Sequence, residues 1–249
     1  GFFADNIEKR SFIFWGLILS SIFIPLSAQA GNVYLLILFI CIGCVGSSLF
    51  HPQALGLTSR ISKGLDETKA MAIFLAMGTL GYSTGPIVSS AITQFVGLNK
   101  MPIMSVLGIF WAFYMFKIVP KISVLNDGKP KIHFKKAFKE ILSNRKLNIL
   151  NVIAMLKTVV QSSCFILLPF LWKDMGHRPF YIGIALFLFI FAGGLGSLVS
   201  SYVEKRMGAK NVFYISMIST LPIMLLFLMM CPKFPILSLV VFVFMGFIT

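Results

Sequence analysis

His51 and Lys157 place ionisable nitrogens inside long apolar runs of this sequence. An imidazole ionises near neutral pH and suits a proton relay. Within an apolar run it either lines a pathway or packs at a kink with one hydrogen bond to a neighbouring helix. Lys157 lies about 8 residues, or about 12 Å at 1.5 Å per residue, from the nearer end of its run. Its ammonium either faces a cavity and attracts an anionic substrate, or snorkels to the surface. Gln161 follows one helical turn later on the same face, with Thr158 and Ser162 beside the pair.

No enzymatic constellation accompanies them. An integral-membrane enzyme would need paired carboxylates or His-rich loops, and His51, His133 and His177 stand apart from one another. Cys41 and Cys44 share a helix face, but zinc takes about four ligands and no further Cys, His, Asp or Glu lies nearby. They and the other two cysteines, Cys164 and Cys231, are expected as buried packing residues. No Gly-rich Lys-Ser/Thr loop is present, so neither nucleotide-driven transport nor a cofactor or metal is expected.

The elements that must position these residues follow from composition. The 249 residues are 57% hydrophobic and 12% charged, with a mean hydropathy of +0.90, which excludes a soluble fold. Apolar runs at 11–30, 33–58, 70–97, 101–119, 149–172, 180–203, 211–231 and 235–249 predict an all-α membrane bundle of eight spans. No polar stretch is long enough for an extramembrane catalytic domain. The net charge of +14 is distributed as topology dictates: seventeen of the 22 lysines and arginines fall at alternate loops and helix ends. By the positive-inside rule the N-terminal residue and the 121–147 loop are cytoplasmic. The excess base therefore meets anionic lipid, not nucleic acid.

Three motifs carry a resemblance. The opening Gly1-Phe2-Phe3-Ala4-Asp5-Asn6-Ile7-Glu8-Lys9-Arg10 sets an acid four residues after a glycine, then a basic pair before an apolar helix. It resembles the loop signature of the major facilitator superfamily, which implies that Asp5 takes part in a conformational latch and that Gly1, Lys9 and Arg10 complete that loop. Phe50-His51-Pro52-Gln53-Ala54, followed by Arg60-Ile61-Ser62-Lys63-Gly64, is similar to the fosmidomycin-resistance branch of that superfamily, with Gln53 where an acid is usual. Gly81-x-x-x-Gly85-Pro86 resembles the fifth-helix motif of its proton-coupled antiporters. Physically, Gly81 and Gly85 predict a close-packing face, and Pro52 and Pro86 predict kinks.

A Lys-rich stretch follows the fourth run, with Phe134, Phe138, Ile141 and Leu142 at helical spacing, and reads as an amphipathic helix on the inner leaflet. Beyond it, Ser201 to Lys210 echoes the opening loop through Glu204, Lys205, Arg206, Gly208 and Lys210. The resemblance implies two pseudo-symmetric six-helix halves, here residues 1–120 and 148–249 joined by a linker at 121–147. The eight runs then correspond to helices three to ten of twelve, so the sequence reads as truncated at both ends.

The activity implied is secondary transport by alternating access, with export of small molecules or drugs against protons, from a monomer in a bacterial inner membrane. His51, Gln53, Lys157 and Gln161 are the substrate and coupling candidates. No run contains Asp or Glu, so the proton-carrying acid lies outside these runs or His51 serves. An uptake carrier for sugars or organic acids shares the motifs, and a non-transporting receptor or scaffold is the reading from another class.

Overall fold

The structure, a computed structural model, describes residues 9–62, 67–119 and 143–248. Each of the eight apolar runs forms one α-helix: α1 Lys9–Leu26, α2 Val33–Ile61, α3 Glu67–Ala91, α4 Ile103–Ile118, α5 Arg145–Asp174, α6 Pro179–Met207, α7 Ala209–Met230 and α8 Pro235–Ile248. Among the described residues there is no strand. A hydrocarbon core offers the backbone no partner, so a spanning segment must satisfy its own N–H and C=O groups, as a helix does.

Local chemistry sets several boundaries. Asn32 caps α2, its side-chain oxygen accepting the Leu35 N–H at 2.8 Å. Pro179 opens α6 at its first turn, where a missing N–H costs nothing. The end of α3 widens into a π-helical turn, Ile92–Val96. Gly208, the one residue between α6 and α7, has φ 80°, a conformation that glycine adopts without a Cβ penalty.

Among the described residues five stretches are long and apolar enough to cross a membrane: Arg10–Gln29, Val33–Ile61, Leu98–Ile118, Pro179–Met207 and Lys210–Met230, while α8 is shorter. Large apolar side chains cover much of the helix surfaces, including Tyr34, Met229 and Ile236, each more than 70% exposed. Such a surface suits lipid and not water. The chain is a multi-pass membrane protein.

Two compact units are formed, Gly1–Phe74 with Phe95–Ser143, and Leu75–Gln94 with Asn144–Thr249. In the first, α1 packs between α2 and α4 around Ile13, Leu57 and Val119, with Leu17, Phe50 and Met115 against them. In the second, Phe242 of α8 is fully buried. It meets Trp172 of α5, Phe189 of α6 and Phe227 of α7 at ring-centroid distances of 5.3, 4.4 and 5.6 Å. Four helices thus share one aromatic centre. Most of α3, from Leu75 onward, belongs to this second unit. The expected amphipathic linker helix lies outside the described residues.

Candidate functional site

Gly43, Gly46, Gln53, Ala54 and Leu57 are the buried positions of α2, a stripe at spacings of three, four and seven. That stripe meets α1: a Cβ on Gly46 would lie 2.7 Å from the Gly16 carbonyl oxygen. Ser20 of α1 reinforces the contact, its hydroxyl lying 3.2 Å from the Gly43 carbonyl oxygen and 2.9 Å from its own Gly16 carbonyl oxygen. Gln53, 5% exposed, sits in this packing stripe. His51 is two residues away, about 200° around the helix. It is exposed, with Phe50 edge-on at 5.4 Å. The two expected candidates therefore face opposite ways, and His51 is not a packed kink histidine. Pro52 between them is exposed inside an unbroken α-helix.

Of the opening loop, Gly1 and Asp5 lie outside the described residues, as does the side chain of Lys9, whose backbone starts α1. Arg10 has a defined place. Its guanidinium carbon lies 3.9 Å from the ring centroid of Phe116 on α4. Phe14, one turn further along α1, meets Phe116 at 4.9 Å and Phe113 at 5.3 Å. Arg10 is thus a strut between two helices as well as a topology-setting charge. The sequence signal for it is the helical spacing of Phe113 and Phe116, one turn apart on α4.

In the second loop Arg206 turns to Tyr202, donating to its hydroxyl at 2.6 Å, with the ring centroid 4.9 Å away. Glu204 and Lys205 are exposed. The Gly208 N–H closes α6 on the Glu204 carbonyl at 2.8 Å, and Lys210 lies 5.8 Å from the Tyr214 ring. Lys157 and Gln161 stand one turn apart on α5, and their side chains lie outside the described residues.

The structure shows no neighbour at the expected packing face of α3 among the described residues. A Cβ on Gly81 or Gly85 meets nothing within 4 Å among the described residues. What α3 presents to α6 is Thr79, Pro86 and Ser90, and the glycines of that contact belong to α6. A Cβ on Gly183 would lie 2.7 Å from the Pro86 carbonyl oxygen and would overlap Ser90, and one on Gly194 would lie 2.7 Å from Thr79 Cγ2. At the end of the same seam the Gln94 side-chain oxygen accepts the Phe180 N–H at 3.0 Å. The other face of α6 meets α8, where Gly196 abuts the Phe247 carbonyl and Gly246 abuts that of Phe189.

Five hydroxyls of α3 and one of the π-helical turn that follows it are occupied locally. Thr79, Ser83, Thr84, Ser89, Ser90 and Thr93 each donate to a carbonyl three or four residues earlier. Back-bonding of this kind hides polarity that an apolar medium would penalise.

A cavity of about 440 Å³ opens between α5, α7 and α8, lined by Val159, Ser163, Leu167, Met224, Phe227 and Met245 among others. The Ser163 hydroxyl donates to the Val159 carbonyl at 2.8 Å, so the lining offers apolar surface to an occupant. Among the described residues no three His, Cys, Asp or Glu side chains gather to hold a metal. Cys41 and Cys44, expected buried, are exposed; Cys231 is buried with its sulfur 3.7 Å from that of Met175.

The helices, the glycine seams and the apolar exterior describe membrane-spanning helical packing. Residues 1–249 match the family model of the Major Facilitator Superfamily, and the chain belongs to that family. Two curated relatives from Escherichia coli (strain K12) are similar to it. One is a Fosmidomycin resistance protein, 25% identical over 205 residues, covering 81% of this chain and 50% of the relative. The other is the Sialic acid transporter NanX, 23% identical over 254 residues, covering 94% of this chain and 57% of the relative. The chain spans about half the length of these relatives. No solved structure is a significant match.

Proposed function

We propose that this chain is part of a secondary active transporter that exports small molecules against protons by alternating access. The observation that carries the reading is the match of all 249 residues to a transporter family. The similarity to a protein named for fosmidomycin resistance supports the exporting direction. In this reading the sequence halves 1–120 and 148–249 rock about a central site, and the 121–147 linker and the N-terminal residue face the cytoplasm. The exposed imidazole of His51 carries the proton, Lys157 and Gln161 attract the substrate, and Asp5 latches one access state.

The test is drug susceptibility of a pump-deficient bacterium expressing the complete reading frame, with fosmidomycin and a panel of unrelated drugs. Raised resistance, lost on collapsing the proton gradient and in an Asp5→Asn variant, is the expected result. Unchanged susceptibility despite membrane expression overturns export.

A second reading is favoured by the match to the Sialic acid transporter, which extends over 94% of the chain. It is proton-coupled uptake of an acidic sugar or organic acid, with Lys157 as the anion-attracting group. Radiolabelled sialic acid accumulation by the same cells separates the two. Failure of both assays leaves the non-transporting receptor.

A further inference from the structure

The first turn of a helix carries N–H groups with no partner inside the helix. At α6 the N-cap residue, Arg178, supplies no side-chain cap. The N–H of Phe180, in that first turn, is instead capped by another helix, through Gln94 at 3.0 Å. Gln94 reaches it from the π-helical turn that ends α3. Such turns re-aim side chains relative to a regular helix, and they recur at functional positions.

The cap closes a longer seam. Moving from Gln94 to Ser90 to Thr79 along α3, the partners on α6 run the opposite way, from Phe180 to Gly183 to Gly194. The two helices are antiparallel and in register, with no side chain on α6 to hold them apart at the two glycines. Along this seam the bond from Phe180 to Gln94 joins a backbone donor of one helix to a side chain of the other.

We propose that Gln94 is a latch between α3 and α6, made in one access state and broken in the other. Parting these helix ends takes the Gln94 acceptor away from the half-buried Phe180 N–H, and losing a hydrogen bond shielded from water is penalised. Water restores the loss only where the parted ends are wet. The latch therefore releases when its end of the molecule opens to solution, and it resists opening into lipid. The proposal rests on the alternating-access reading. On the topology inferred from charge, the Gln94 end is the outer one.

The test uses the full chain in membranes, with Cys41, Cys44, Cys164 and Cys231 replaced and a single reporter, Ser90→Cys, placed in the seam. Its labelling rate with a membrane-impermeant maleimide is measured from outside. Gln94→Ala is expected to raise the rate about fivefold, the equivalent of one net hydrogen bond. Gln94→Glu keeps an acceptor and is expected to stay close to the parent. Equal rates for the parent and Gln94→Ala overturn the latch, and so does a Gln94→Glu rate as high as that of Gln94→Ala. Labelling needs no substrate, so the expected pattern without transport of any compound overturns the transport reading and the tie to access states, and leaves Gln94 only as a clasp between two helix ends. Labelling only from the cytoplasmic side overturns the assigned orientation, and with it an outer latch.

Discussion

Gly16 of α1 and Gly46 of α2 meet backbone to backbone: a Cβ built on either comes within 2.8 Å of the other residue's carbonyl oxygen. The larger residue Gly46→Val cannot be accommodated without parting α1 from α2. Overpacking of this kind costs about 1–3 kcal/mol, and a lower melting temperature in detergent is the measurement. Gly81→Ala is the contrast. It enters open space on a helix and should leave the melting temperature unchanged or raise it, since alanine favours a helix interior over glycine by about 0.5–1 kcal/mol. Equal destabilisation by both would restore Gly81 to a packing role.

Phe242→Ala removes the ring on which Trp172, Phe189 and Phe227 converge. Truncating a buried phenylalanine costs about 3–5 kcal/mol. The expected outcome is loss of most folded protein from the membrane at growth temperature, with recovery on cooling. Tyr34→Ala, at an 85% exposed position, is expected to express as the parent does.

Arg10 and Phe116 should be energetically coupled. A double-mutant cycle with Arg10→Gln and Phe116→Leu, read by thermal unfolding, is expected to give a coupling of about 0.5–2 kcal/mol. Additive single effects would reduce Arg10 to a topology signal.

His51 and Gln53 should separate in function. His51→Gln is expected to abolish proton-driven accumulation or export while the protein remains folded, because His51 is exposed and carries no core packing. Gln53→Ala is expected to lower stability through the α1–α2 seam and to leave the pH dependence of transport unchanged. The reverse pattern would exchange their roles. The check is a pH profile of transport beside a melting curve for each variant.

The helices themselves were legible because hydropathy alone decides which residues enter a bilayer, and all eight runs became helices. Their rotation about their own axes was not. A helix that is apolar on every side has no amphipathic stripe to say which face turns inward. Gly81 and Gly85 therefore looked like a seam by spacing, while Gly183 and Gly194, spaced less regularly, form one. Gln53 looked like an intrusion into a pathway for the same reason, and its burial follows from Gly46 and Leu57 on the same face. Gln94 escaped notice at the end of its run, since a cap in trans depends on where a distant helix begins.

The back-bonded hydroxyls of α3 and of the π-helical turn that ends it bear on how this helix can move. Each is paid off within its own helix, so a shift of α3 along α6 carries those bonds along unbroken. A shift must however break the bond at Gln94, where one amide holds a foreign N–H. If Gln94 is the latch proposed above, a helix built this way behaves as a slide with a catch, and the rate at which it moves becomes tunable at that residue.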